Sequence, residues 1–377
     1  MKVRFFISRT ASGLFLALSA VLLFASCQND DEDIRPHANR VLLVYMGGDN
    51  NLSQELYEKL DAISEGWTAK SGDKLLLYLD AADRNPSLIE LIDRDGGNTQ
   101  KVIKSYAEES SAESKTLSRV IATVKQLYTA DSYGLLVFSH GSGWLPEGML
   151  NKPKSIIVDN KSEMEIQDFA DAIPDKMFDY IIFEACFMAG IETVYELQNK
   201  ADYILASSAE IVSPGFTPIY SESMGYLFEE NTNTVNFAEA VFNYFANQNG
   251  YRNSATFSVI RTSELEPLAV FVKKNCDFSK EVDIKDIQYF DRYSYHLFFD
   301  FEDYYSALLE TEDQKQKLKD LIDNVVIYKA ATADFMPDYG GFIIGKHSGM
   351  TTYIKQQRFP ILNEKYMNMK WCRQISK

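Results

Sequence analysis

Positive charge is in short supply in this chain: its 377 residues hold 38 Lys and Arg against 54 Asp and Glu, a net charge of −16. A deficit of that size argues against a nucleic-acid partner, because such binding starts from a basic patch laid along phosphates. Long apolar runs are equally scarce. No stretch of about 20 apolar residues occurs beyond the N-terminus, which excludes a multi-span membrane protein. Histidine and cysteine are limited to four each, so the candidates for nucleophile and proton carrier are few. The familiar short motifs are missing too: there is no GxSxG, no HExxH, no GxxxxGK[ST] and no strand-following GxGxxG. What the chain does have is material for a core, with 46% hydrophobic and 13% aromatic residues. At about 150 residues per domain its length suits two domains, or one with a substantial extension.

The first 26 residues read as an address. Lys2, Arg4 and Arg9 form a positive region, and the apolar stretch Leu14 to Phe24 is too short to span a bilayer comfortably. The stretch ends in Leu23-Phe24-Ala25-Ser26-Cys27, which resembles the lipobox of bacterial lipoproteins; an ordinary signal peptide with a coincidental cysteine is the plainer alternative. The resemblance implies cleavage before Cys27, lipidation of that thiol, and anchoring in the cell envelope outside the cytoplasm. Residues 27–37 form an acidic tether, Gln28-Asn29-Asp30-Asp31-Glu32-Asp33 at its heart, which cannot bury itself. It is similar to signals that expose some lipoproteins on the cell surface. Three cysteines then remain, Cys186, Cys276 and Cys372. Three is an odd number, so at least one thiol stays unpaired.

Beyond the tether, strand and helix patterns alternate. Val41 to Met46 is an unbroken apolar run, the pattern of a strand buried on both faces. Leu52, Leu56, Leu60 and Ile63 recur at helical spacing, with Asn51 as a fitting N-cap. Further strands are expected at 75–79, 135–138, 156–158, 180–183, 203–206 and 254–260, with helices near 113–128, 166–173 and 189–197. Such alternation implies right-handed crossovers and a three-layer α/β/α sandwich with a mostly parallel central sheet over residues 38–260. Residues 261–377 turn more helical, at 265–272 and 315–328, with late strands near 340–345 and 350–354. They form an extension of the sheet or a subdomain. Ligands belong beyond the carboxyl ends of the strands.

At that rim sit the chemical candidates. Leu135-Leu136-Val137-Phe138-Ser139-His140-Gly141 ends one buried-strand pattern and Tyr180-Ile181-Ile182-Phe183-Glu184-Ala185-Cys186 another. Neighbouring parallel strands would bring His140 and Cys186 together as a nucleophile and its proton partner. A helix dipole near Ala189 contributes about 0.3–1 kcal/mol, less than one pKa unit, so an adjacent imidazolium is needed to favour the thiolate. His37 lies in the tether and His296 beside aromatics; His347, in a Gly-rich turn, is the rival proton partner.

These motifs, with Tyr45-Met46-Gly47-Gly48-Asp49-Asn50-Asn51-Leu52 and with Tyr203 to Ser208 followed by Pro214-Gly215, resemble the clostripain family of cysteine peptidases and its caspase-like fold. The resemblance implies a cysteine endopeptidase acting on polypeptides as a monomer, touching the membrane only through a lipid at Cys27. It implies attack by Cys186, proton transfer by His140, and an oxyanion held by the N–H groups of Gly141 and Cys186. It also implies cleavage after Arg or Lys, with a carboxylate two residues before the nucleophile at the base of the pocket. The family usually has Asp there; this chain has Glu184, one methylene longer.

Strand alternation puts Glu184 on the same side as Cys186, where its charge opposes a thiolate unless a cation meets it. A substrate Arg or Lys is one such cation and an internal Lys or Arg the other. Glu210 is a second candidate for binding a basic side chain. The loop Pro146 to Ser155 is a place where some relatives cut themselves after a basic residue, and Lys154 is the best match; an uncut surface loop is the alternative. No cofactor is required by this reading. Asp49-Asn50-Asn51 fits either a calcium site, which some relatives need, or helix capping. The functional rival is a catalytically silent surface lipoprotein that uses the same fold to bind peptide or protein.

Overall fold

The run Val41 to Met46 does what its lack of alternation implies: every residue in it is buried, as are Leu75 to Leu79 and Leu135 to Phe138. The computed structural model describes residues 35–376 apart from 71, 94–96, 147–155, 160–161 and 230–232. Cys27 and Lys154 therefore lie outside the described residues. In chain order the strands are β1 (His37–Gly48), β2 (Lys74–Ala81), β3 (Arg84–Ile92), β4 (Thr99–Ser105), β5 (Thr129–Phe138), β6 (Ile157–Asp159), β7 (Ser162–Met164), β8 (Phe178–Glu184), β9 (Ala201–Ala206), β10 (Thr256–Arg261), β11 (Phe299–Asp300) and β12 (Val326–Ala331). The helices around the sheet include α1 (Ser53–Gly66), α2 (Ser114–Leu127), α3 (Ile166–Ala172), α4 (Ile191–Glu196), α5 (Thr217–Ser223), α6 (Thr234–Ala246) and α7 (Leu265–Asn275).

Among the described residues nine strands form one sheet in the order β12-β10-β9-β8-β5-β1-β2-β3-β4. The five central strands run parallel, and an antiparallel pair is added at each edge. Helices α1, α5 and α6 pack on one another, while α2, α3 and α4 form a second contiguous set. The α/β sandwich with a mostly parallel centre is thus the observed fold. From residue 35 onward the chain forms one compact unit, and β12 completes the same sheet against β10.

The departures from the sequence pattern have local causes. The expected helix over 315–328 stops at Val325, and Val326 to Ala331 becomes an edge strand, because β-branched Val326 and Ile327 follow directly and β10 offers an open edge to pair with. The hairpin of β3 and β4 carries little periodicity: β4 is almost wholly exposed, an edge strand protected by Lys101 and Lys104. The run at 156–158 forms only the short β6–β7 hairpin, outside the main sheet. Among the described residues no helix is long and apolar enough to cross a membrane.

Candidate active site

Phe138, the last residue of β5, stands opposite Glu184, the last residue of β8, in parallel register. His140 and Cys186 each lie two residues further on, so the chain delivers both to the same point beyond the carboxyl ends of neighbouring strands. Both line one cavity of about 300 Å³, together with Leu52, Glu55, Glu184, Glu210, Ile211 and Arg292. The loops are pressed close: a Cβ on Gly141 would lie 2.7 Å from the Cys186 carbonyl oxygen and 3.0 Å from its nitrogen. Only glycine fits there.

Around the sulfur the backbone is shaped by the next residue in the chain. Phe187 takes φ +62, in the left-handed region that few non-glycine residues adopt. Its ring is fully buried and stacks on Phe298 at 4.4 Å, and its N–H donates to the Ala209 carbonyl. That turn lets the segment after β9 run alongside, and the Ile211 N–H donates to Cys186 Sγ at 3.3 Å. Helix α4 begins only at Ile191 and is six residues long, so its dipole adds little.

The imidazole is oriented from a different direction. His140 Nε2 lies 2.9 Å from Asn51 Oδ1; with that oxygen accepting, Nε2 carries the proton and Nδ1 is the basic nitrogen. Asn51 is therefore not the helix cap. Leu52 occupies the N-cap position of α1 without a side-chain bond, and Asn50 Oδ1 accepts from the Leu52 N–H instead. Asn50 Nδ2 donates to the Val158 carbonyl. Both amides are thus engaged within the chain. Among the described residues no group of three or more His, Cys, Asp or Glu is placed to hold a metal.

His347 does not line the cavity. It is buried, its ring nitrogen Nε2 sits 3.3 Å from Ser208 Oγ, and burial pushes its pKa down to about 3. An imidazole so reluctant to take a proton is a poor rival to His140. His296 stacks on Tyr289 and pairs with Asp291, away from the cavity.

The two carboxylates expected to meet a substrate are both engaged within the chain. Glu184 Oε1 accepts from Lys59 Nζ at 2.5 Å and from the Phe216 N–H at 2.6 Å, and Oε2 accepts from Tyr220 Oη at 2.5 Å. Side-chain exposure is 1% for Lys59 and 2% for Glu184. The internal ion pair, not an open pocket base, is what the structure gives for Glu184. Its partner is a lysine on the buried face of α1, in series with Leu56 and Ile63. Lys59 on that apolar stripe was the available signal, since a buried lysine needs a carboxylate. Glu210 is held by Arg292, whose Nε and Nη2 donate to its two oxygens at 2.6 and 2.9 Å. That contact joins residues far apart in sequence and has no local signature.

Known proteins share this fold. A family model described as the clostripain family matches residues 44–375. An inactive zymogen C11 protease from Parabacteroides distasonis superimposes with a TM-score of 0.81 at 32% identity, over 90% of this chain and 99% of that one. A secreted C11 cysteine protease from Bacteroides thetaiotaomicron, solved with an irreversible peptide inhibitor, gives a TM-score of 0.81 at 28% identity over 90% and 99%. Clostripain of Hathewaya histolytica is 22% identical over 209 residues, which make up 46% of this chain and 40% of that protein. With the family model spanning nearly all of the described chain, this protein belongs to the clostripain family of cysteine peptidases.

Proposed function

We propose that this chain is a cysteine endopeptidase that uses Cys186 and His140 and cleaves polypeptides after Arg or Lys. The observation that carries the dyad is the register of β5 and β8, which sets both residues at one cavity. In this reading the Cys186 thiolate attacks the scissile carbonyl carbon and an oxyanion forms, held by the N–H groups of Gly141 and Cys186. The imidazolium of His140 gives its proton to the departing amine as the C–N bond breaks, leaving a thioester. Water then attacks that thioester, its proton passing to His140, and the acid product and the thiolate are released. Oxyanion donors of this kind contribute about 3 kcal/mol each.

The acidic lining supports a basic side chain before the scissile bond. Glu210 and Glu55 reach the cavity from two sides, whereas Glu184 is satisfied internally. The Asn51 contact fixes the imidazole tautomer, making Asn51 a positioning residue. Lys154 is the residue after which the chain would process itself, and lipidation of Cys27 would keep the enzyme in the cell envelope, outside the cytoplasm.

The test is a Cys186→Ala variant assayed on Arg- and Lys-containing peptides, with folding followed by circular dichroism. Activity is expected to vanish while the fold persists; retained turnover overturns the assignment. A basic chloromethyl ketone should alkylate wild-type protein at Cys186 alone, and no labelling would favour the silent peptide-binding protein. Intact masses of wild type and variant, identical as single chains, would remove self-processing.

A further inference from the structure

The contact between Arg292 and Glu210 is built like a bound ligand. The guanidinium presents two parallel N–H groups to the two carboxylate oxygens, the forked geometry that arginine uses to recognise carboxylates between molecules. Glu210 immediately precedes Ile211, whose N–H touches the Cys186 sulfur, so whatever occupies Glu210 is a side chain's length from the nucleophile. Both residues line the cavity that holds Cys186 and His140. We propose that Arg292 is a resident occupant of the subsite for the residue before the scissile bond, and that a basic substrate side chain must displace it from Glu210 to bind. This deepens the reading that the enzyme cleaves after Arg or Lys and rests on it.

The two ion pairs of the site differ in a way that selects this one. Lys59 and Glu184 are sealed, and Lys59 is further held by the Thr217 hydroxyl and the Pro214 carbonyl. Arg292 keeps 28% of its side chain exposed and Glu210 17%. Water and substrate can therefore reach the second pair, and an exchange of one guanidinium for another conserves charge. The backbone under Arg292 is fixed. Asp291 is fully buried and accepts from the N–H groups of Tyr293, Leu297 and Phe298, while pairing with His296. The loop stays in place, then, and release requires only rotation of the Arg292 side chain and loss of its bond to the Tyr339 carbonyl. The consequence is a filter: a short basic peptide gains only the difference between its own contact and that of Arg292, so further contacts along the substrate decide whether it binds.

The experiment compares wild type with Arg292→Gln and with Arg292→Gln combined with Glu210→Gln, all confirmed as folded by their thermal transitions. Matched peptides carry Arg or Leu before the scissile bond. Removal of the occupant should raise the kcat/KM ratio of Arg to Leu peptides tenfold or more, chiefly through KM, and should tighten inhibition by benzamidine by a similar factor. Adding Glu210→Gln should abolish both gains. An unchanged or lower ratio in Arg292→Gln, in an enzyme that does prefer basic peptides, overturns the displacement model alone. A lower kcat with a shifted acid limb of the pH profile would do so too, assigning Arg292 to the thiolate instead. If wild type and Arg292→Gln both ignore basic peptides yet cut Leu peptides, the basic specificity itself fails.

Discussion

Replacing Lys59 by Met removes one charge from a pair that has almost no access to water. At 2.5 Å and an effective dielectric of about 20, the attraction lost is on the order of 7 kcal/mol, partly offset because the desolvation of Lys59 is also relieved. Breaking a buried pair from one side typically costs about 3–5 kcal/mol, as the remaining charge is left without compensation. Here that charge is Glu184, and the Thr217 hydroxyl and Pro214 carbonyl lose a partner as well. With an unfolding entropy of about 2.1 cal/mol/K per residue, the loss should lower Tm by about 4–7 °C. The deficit relative to wild type should be read by calorimetry or denaturant titration. Combining Lys59→Met with Glu184→Gln should recover about 2 kcal/mol or more, since the amide oxygen can still accept from the Phe216 N–H while the amide NH2 donates to the Tyr220 hydroxyl oxygen. A Lys59→Met deficit under about 1 kcal/mol would show that the pair does not act as an uncompensated-charge lock.

Two more expectations rest on single contacts. Asn51→Ala removes an exposed hydrogen bond to His140, worth about 1 kcal/mol, so kcat should fall roughly fivefold with little change in KM. Unaltered kcat and an unaltered pH profile would deny Asn51 its orienting role. Glu192 in α4 is buried, and burial lifts its pKa to about 7, against bonds from the Tyr353 N–H and the Thr352 hydroxyl. Its folded pKa lies above its unfolded one. It therefore favours folding most below about pH 4 and loses that contribution as pH rises through 7, a swing on the order of 3 kcal/mol. Glu192→Gln should flatten the stability curve over that interval; an equally steep curve in the variant would place the titration elsewhere.

The sheet was legible because its strands are buried on both faces. A two-sided strand must be apolar throughout, and Val41 to Met46, Leu135 to Phe138 and Tyr180 to Phe183 are. The ends of those runs also exposed the candidate pair, since a parallel sheet sends every strand's last residue to one rim, and His140 and Cys186 come just after two such ends. The edges were less readable: β4 buries almost nothing, and β12 exists because β10 had an edge to pair with. What sequence alone could not decide was how charge is distributed at the rim. Spacing placed Glu184 beside Cys186, but whether its partner came from a substrate or from within depended on α1 bringing Lys59 across 125 positions. Likewise Arg292 reaches Glu210 across 82 positions, and Asn51 turns from the helix it seemed to cap toward an imidazole on another strand. Periodicity records which face is buried, because burial acts on each residue locally. Ion pairing depends on where two distant backbones meet, and that is settled only when the layers pack.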